Sequence, residues 1–406
     1  PLFYLASVIL LAALWFAYPV FLSLSVTIIS PVDFFAKEHI IRKARTHIKN
    51  QNNLTIIGIA GSYGKTTAKE IIATILAQKY TLVKTPDSIN TPVGIARLIL
   101  QKVTLDTEIL IIEMGEHYQG DIAYLCSITP PDISVITGIS EAHRERLKTR
   151  ETTIATIFEL AEHTTQGGAI FLNADDPFVI KNHGSYTQKR ATHFFSAHDN
   201  KQTLFQPKNI TFHEDGSGIS FDICKNDEHF VHTHCPLLGE YSIGTILGGV
   251  HIAHHLTLTT GEIAQGISHI KPVAHRLQPL QNAANMLIID DAYNGNPAGV
   301  REAINTLARF TNKRKIYITP GLVEMGAETE AVHTQIGTAL ADVVDMVILI
   351  DNSVTPFIKQ GLAKAGFSQD KILTFKTAPE AHTELKKLIK PNDVVLFQND
   401  WGDNYF

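Results

Sequence analysis

The segment best equipped for chemistry is Thr55 to Glu70, TIIGIAGSYGKTTAKE. Its glycines at 58, 61 and 64 let backbone N–H groups approach a polyanion, and a helix starting beside Lys65 points a favourable dipole at the same place. In such a loop Lys65 meets the β and γ phosphates of ATP and Thr66 offers its hydroxyl to Mg2+. Gly61, Ser62, Tyr63, Gly64 and Thr67 complete the cradle. Five residues separate Gly58 from Gly64, so this is a variant of the general loop, which has four residues before its Gly-Lys-Ser/Thr. A chance glycine-rich turn would rarely combine a preceding apolar strand, Gly-Lys-Thr-Thr and a following amphipathic helix.

Those residues need a sheet edge and a helix start to hold them. Apolar runs at 55–59, 109–113, 133–137 and 169–172 alternate with helical patterns, predicting an α/β fold whose central, ATP-binding domain is a phosphate-loop parallel sheet. Ile71, Ile72, Ile75 and Leu76 recur at helical spacing and predict a helix over 66–78 packed on that sheet. Alternating runs at 210–213 and 219–223 flank Glu214-Asp215-Gly216-Ser217-Gly218 and predict a hairpin-like insertion. A second αβ series, with strands at 286–290, 315–319, 346–350 and 394–397, predicts a Rossmann-like carboxy-terminal domain. The boundary falls at Lys271-Pro272, giving domains over 54–271 and 272–406.

The amino-terminal residues 1–32 carry no charged side chain. About 20 apolar residues cross the hydrocarbon core of a bilayer, so this stretch predicts a transmembrane helix. Lys37, Arg42, Lys43, Arg45 and Lys49 follow it within a basic juxtamembrane helix at 33–53, and outnumber Asp33 and Glu38. That bias places the catalytic domains in the cytoplasm, at the cell membrane, with the lipid bilayer as a partner. A secretory signal peptide has the reverse charge order. A net charge of −5 gives no general basic surface, so nucleic acid is not expected as a partner. Three cysteines, unevenly spaced, fit neither a disulfide framework nor a four-cysteine zinc site. His251, His254 and His255 stand at helical spacing without the glutamate of a metalloprotease helix, and read as a polar helix face; His232 and His234 flank a further strand, alternate with Val231 and Thr233 and read as surface positions.

With these segments in view, GIAGSYGKTTAKE resembles the nucleotide loop of the Mur ligases, ATP-dependent enzymes that build the peptide stem of peptidoglycan. Asn90-Thr91-Pro92-Val93-Gly94, Ile112-Glu113-Met114-Gly115 through Gln119-Gly120-Asp121-Ile122, and Asn173-Ala174-Asp175-Asp176 are similar to the branch that adds D-alanyl-D-alanine. So are Asp290 to Pro297, DDAYNGNP, and Glu324-Met325-Gly326 with His333. The resemblance spans 54–400. It implies that a carboxylate is phosphorylated by ATP and the acyl phosphate is attacked by an amine, chemistry in which the protein positions reactants and neutralises charge. It further implies a muramoyl-peptide cell-wall precursor and D-alanyl-D-alanine as substrates. Glu113 falls at a Mg2+ carboxylate and His143 at a ligand of a second metal. Arg276 and Asp291, with Asn294 of the same segment, fall where the carboxy-terminal domain closes on ATP.

The chain departs from that pattern in four places. Ile157 stands where the family carries a carbamylated lysine, and no lysine occurs between Thr149 and Val179. Glu240-Tyr241-Ser242-Ile243-Gly244-Thr245 replaces the amide-rich adenine-side segment. Gln398 to Tyr405 stands near the place of a Lys-Gly-Ser-Arg segment. The apolar helix occupies the position of the domain that holds UDP, which raises the expectation of a lipid-linked precursor against simple tethering. Two other functions fit the same residues: a membrane-anchored polyglutamate-type synthase, against which the YNGNP segment argues, and a nucleotide-binding membrane scaffold without catalysis.

Overall fold

The computed structural model describes residues 2–86, 89–116, 118–139, 149–188, 190–281, 286–292, 295–323 and 325–399. A long helix, α1 (Leu2–Lys49), leads within five residues into β1 (Thr55–Ala60), the strand that carries the glycine loop, and α2 (Lys65–Leu76) starts directly behind that loop. The chain continues through β2 (Leu82–Lys84), α3 (Pro92–Lys102), β3 (Ile109–Glu113), α4 (Asp121–Ile128), β4 (Ile133–Ile136), α5 (Arg150–Glu162), β5 (Ala169–Asn173), α6 (Pro177–Asn182) and β6 (Ala191–Phe195). These strands form one sheet in the order β2-β3-β1-β4-β5-β6, with every neighbouring pair parallel. Parallel sheets are covered on both faces, which explains why β1, β3 and β4 read as unbroken apolar runs. The edge strands β2 and β6 were not expected; Leu82–Lys84 is too short and Ala191–Phe195 too polar to stand out by pattern.

Antiparallel β7 (Phe205–His213), β8 (Gly218–Lys225) and β9 (Glu228–Cys235) follow. The expected hairpin is thus a three-stranded sheet. Its turn docks on the second domain, where Glu214 accepts hydrogen bonds from Thr311 Oγ1 (2.8 Å) and the Asn312 N–H (3.2 Å). Next come α7 (Tyr241–His255) and α8 (Thr260–Ser268), the latter opened by a capping box between Thr259 and Glu262. Together α2, α7 and α8 cover one face of the first sheet, with Ile71, Ile75, Ile246 and Val250 in the core. On the other face lie α3, α4 and α5, together with Ile41, Ala44 and Ile48 from the end of α1.

The second sheet is built from β10 (Gln278–Gln281), β11 (Leu287–Asp291), β12 (Lys315–Thr319), β13 (Met346–Ile350), β14 (Ile372–Phe375) and β15 (Val394–Gln398), in the order β10-β11-β15-β12-β13-β14. All its pairs are parallel except β10 with β11. Four helices, α9 (Pro297–Ala308), α10 (Thr329–Ala341), α11 (Thr355–Lys364) and α12 (Ala378–Leu388), connect its strands.

His251 corrects one expectation. It is buried (5% exposed), its ring 5.1 Å from Phe171 and 4.7 Å from His193, so this turn of α7 faces the core and only His254 and His255 lie toward the surface. No group of three or more His, Cys, Asp or Glu positioned to hold a metal occurs among the described residues. His232 and His234 sit exposed on β9.

Candidate active site

In open α/β sheets ligands bind beyond the carboxyl ends of the strands. Here the ends of β1, β3 and β4 converge. The chain leaves β1 at Gly61 with φ +147°, and a Cβ there would lie 2.3 Å from Thr137 Oγ1. Only glycine allows the loop to pass that close to β4. Gly64, at φ +76°, turns the chain into α2. The loop is tied across by the Ser62 N–H donating to Gly138 O (2.8 Å) and by Thr137 Oγ1 donating to the carbonyls of Ala60 and Tyr63. The Tyr63 ring lies over Gly138, and its hydroxyl donates to Asp176 Oδ2 (2.7 Å). Burial and the Asp176 carboxylate hold that phenol well above its usual pKa, so it remains a neutral donor.

Behind the loop lies a buried set of charges. Lys65 Nζ donates to Gly61 O and lies 3.4 Å from Glu116 Oε2. Thr66 Oγ1 and Lys69 Nζ both donate to Glu113 Oε2, each at 3.0 Å. Lys69 is wholly buried, and Glu113 and Glu116 are 2% and 4% exposed. Lys65 and Lys69 are four residues apart and so share one face of α2; Glu113 and Glu116 meet them from the end of β3. Burial pushes the Glu116 carboxyl above its ordinary range, while the Lys65 ammonium and a backbone hydrogen bond pull it back.

Two observations test whether MgATP fits here. Ser62 Oγ is buried without a hydrogen-bond partner among the described residues, in a loop whose geometry suits phosphate. The Thr66 hydroxyl and Glu113 carboxylate give an all-oxygen pair of donors, as a hard cation that keeps waters and phosphate oxygens in its shell requires. The residues fit.

A narrow cleft runs from this loop toward the second domain, lined by Thr67 and Glu70 of α2, Tyr241 and, from the interdomain segment, Lys271 and Arg276. His275 and Leu277, flanking Arg276, adopt φ of +59° and +40°, a conformation that bulky side chains rarely take and that marks the segment as strained. Asp291, at the end of β11, accepts from the Leu277 N–H (3.0 Å) and from Gln398 Nε2 (2.8 Å). Its Oδ1 therefore braces the interdomain segment and its Oδ2 ties that point to the end of β15; burial raises its pKa and these hydrogen bonds oppose the rise.

The structure thus brings Gly61, Ser62, Tyr63, Gly64, Lys65, Thr66, Thr67 and Glu113 to one point, with Arg276 across the cleft and Asp291 behind it. His143 and Asn294 lie outside the described residues. Ile157 is fully buried in the apolar layer beneath the sheet, and Glu159, two residues on, accepts from the Gly120 and Ala123 N–H groups at the start of α4 (2.7 and 2.9 Å). Lys69, Glu116, Thr137 and Asp176 were not singled out from sequence. The signal for the first two was spacing: four residues beyond Lys65 and three beyond Glu113.

Residues 59–253 match the Mur ligase middle domain, and residues 275–398 match the Mur ligase glutamate ligase domain. The chain is 25% identical over 349 residues to the UDP-N-acetylmuramoyl-tripeptide--D-alanyl-D-alanine ligase of Bacillus subtilis, covering 86% of this chain and 73% of that one. With the enzyme of the same name from Escherichia coli the identity is 27% over 292 residues, which spans 72% of this chain and 63%, under two thirds, of the relative. The structure of a MurF ligase from Thermotoga maritima in complex with ADP superposes with a TM-score of 0.76 at 27% identity, covering 90% of this chain and 80% of that one. With both of its αβ domains matched and the glycine loop, Lys65, Thr66 and Glu113 assembled at the sheet edge, the chain belongs to the Mur ligase family of ATP-dependent ligases.

Proposed function

We propose that this chain joins D-alanyl-D-alanine to the carboxylate of a muramoyl tripeptide in peptidoglycan precursor synthesis, through an acyl phosphate formed with ATP. The observation that carries the reading is the convergence of Lys65, Thr66 and Glu113 behind a glycine loop, in a chain whose relatives bear that activity in their names. MgATP supplies the phosphoryl group and the cation that offsets its charge. Thr66 and Glu113 hold the cation, with His143 as ligand to a second one. The amino terminus of α2 and Lys65 take the phosphates, Lys65 exchanging its contacts to Gly61 and Glu116 for phosphate oxygens. Arg276 reaches into the cleft from the interdomain segment and offsets charge on the transferred group, with Asn294 as a further contact to the nucleotide. Asp291 positions Arg276 by fixing Leu277.

The domain units are 54–271 for nucleotide and donor and 272–406 for closure and acceptor. Among the described residues α1 contains a stretch long and apolar enough to cross a membrane, and we place the enzyme at the cytoplasmic face of the cell membrane on that helix. The test is ADP release and product mass with MgATP, muramoyl tripeptide and D-alanyl-D-alanine, with Lys65→Ala as control. Release that needs both co-substrates and falls by 10²-fold or more in Lys65→Ala, as for loss of one charge-stabilising donor, supports the reading. Nucleotide binding without release under any substrate pair overturns it in favour of a scaffold.

A further inference from the structure

The last third of α1 is built into the first domain. Ile41, Ala44 and Ile48 are buried in the layer under the sheet. His47 Nε2 lies 2.9 Å from Val103 O, the residue that ends α3. Arg45 donates to Ser127 Oγ (2.9 Å), lies over the Tyr124 ring and pairs with Glu38 (3.6 Å), which accepts from the Tyr124 hydroxyl (3.3 Å). A loose tether would make none of these contacts.

The contacts also fix a direction. Crossover helices run from the carboxyl end of one parallel strand to the amino end of the next, so α3 and α4 both descend from the phosphate-loop rim. The carboxyl end of α1 meets the carboxyl end of α3 through His47, and Lys49 is followed at once by the amino end of β1. Followed backward from Lys49, α1 therefore climbs toward the rim: Arg45 stands beside Ser127 in the last turn of α4, and Glu38 beside Tyr124 one turn higher. At 1.5 Å per residue Glu38 lies ~10 Å above Arg45, about the length of α4, and the uncharged stretch begins ~9 Å above Glu38. Beyond Asp33 the apolar side chains stand in the open, among them Phe21, Leu22, Ile28, Ile29 and Val32, each more than half exposed. An uncharged helical stretch of about 45 Å that ends at Val32 and is followed by basic residues is long enough for the ~30 Å hydrocarbon core of a bilayer, and fits a lipid bilayer as its cover.

We propose that α1 is a rigid strut that turns the phosphate-loop rim of the first domain, with Lys65, Glu113 and Glu116, toward the membrane surface, so that the donor is taken from a carrier held in the bilayer. The substrate half of this inference rests on the ligase reading above; the orientation half does not. Pro31 removes one helix hydrogen bond where the apolar stretch ends, which makes that junction the natural place to break the coupling.

Two surface residues report the orientation. Tyr118 (62% exposed) follows β3 at the rim, and Leu105 (83% exposed) precedes β3 at the opposite edge, a separation of ~17 Å along the strand. The three native cysteines are buried, so Tyr118→Cys and Leu105→Cys accept a dye selectively. In the full chain reconstituted in phosphatidylglycerol/phosphatidylethanolamine vesicles, energy transfer to a headgroup-attached acceptor is expected to be at least about twofold higher from position 118. A Gly-Ser-Gly-Ser insertion between Val32 and Asp33 should abolish the difference. Equal or reversed transfer in the uninterrupted chain overturns the orientation. In the same vesicles, muramoyl tripeptide attached to a bilayer lipid should be turned over about tenfold faster than the same peptide on a soluble nucleotide, and the insertion should erase that preference. If both donors react equally, the substrate half falls. ADP release with neither donor would instead count against the ligase reading, while the energy-transfer result would stand.

Discussion

Lys69 Nζ lies 3.0 Å from Glu113 Oε2, the same oxygen that accepts the Thr66 hydroxyl. A lysine with no exposed surface is tolerated only beside a partner of opposite charge, because an isolated buried ion is too costly to keep. Lys69 thus holds the Glu113 side chain aimed at the loop before any cation arrives, while the pairing of Lys65 with Glu116 keeps the phosphate-facing lysine in reserve. One face of α2 carries both lysines, so nucleotide site and carboxylate site are set by one helix.

Removing Lys69 should separate stability from activity. Lys69→Met leaves a buried carboxylate without its partner, and chemical unfolding should show a loss of about 3–5 kcal/mol. Lys69→Met combined with Glu113→Leu replaces the pair by apolar side chains and should recover most of that loss. ADP release should stay absent in the double variant. If the two variants unfold at the same denaturant concentration, the pair is not what braces this end of β3.

What could be read from sequence follows from what each feature depends on. The glycine loop and its strand and helix are local, so spacing alone located Lys65 and Thr66. Glu113 ended an apolar run and could be placed at a sheet rim. Lys69 and Glu116 could not be distinguished from solvated charges, since their burial is decided by α2 packing on the end of β3 and by the turn after it. His251 misled for the same reason: its type is polar, but the face of α7 it occupies packs on Phe171 of β5. The strand at His232 and His234 was legible from their alternation with Val231 and Thr233, but not its pairing with β8, which is long-range information that local pattern does not carry. His143 and Asn294 rest on family resemblance alone.

Gly61→Ala tests the close approach of the loop to β4. A methyl group there meets Thr137 Oγ1 at 2.3 Å on a backbone with φ +147°, a strain of about 1–3 kcal/mol that the loop relieves by shifting. Calorimetric titration with ADP and Mg2+ should show affinity reduced about tenfold. Unchanged affinity would mean that the loop tolerates displacement and that Gly61 is not needed for its shape.

Glu116→Gln keeps the shape of the side chain and removes its charge. With Glu116 replaced by the neutral amide, Lys65 loses its ion pair and keeps only neutral acceptors, and one negative charge fewer faces the phosphates. ADP affinity measured in EDTA should then rise by about tenfold, ~1.4 kcal/mol. A fall in affinity would show that Glu116 helps to hold the nucleotide rather than restraining Lys65.

The buried histidine of α7 makes the fold sensitive to acid. Burial depresses the His251 pKa to about 3, and His193, His254 and His255 push in the same direction. The folded value lies below the ordinary 6.5, so below that pH the unfolded chain binds a proton that the folded one refuses. The contribution is therefore fully present above pH 6.5 and is lost as pH falls toward 3, by about 1.4 kcal/mol per pH unit. His251→Leu, which keeps an apolar contact with Phe171, should remove this dependence. Between pH 7 and pH 5 the unfolding free energy of the parent chain should drop by about 2 kcal/mol more than that of the variant. Parallel curves for the two proteins over that range would show that the ring is protonated in the folded state, and that the core around Phe171 admits its charge.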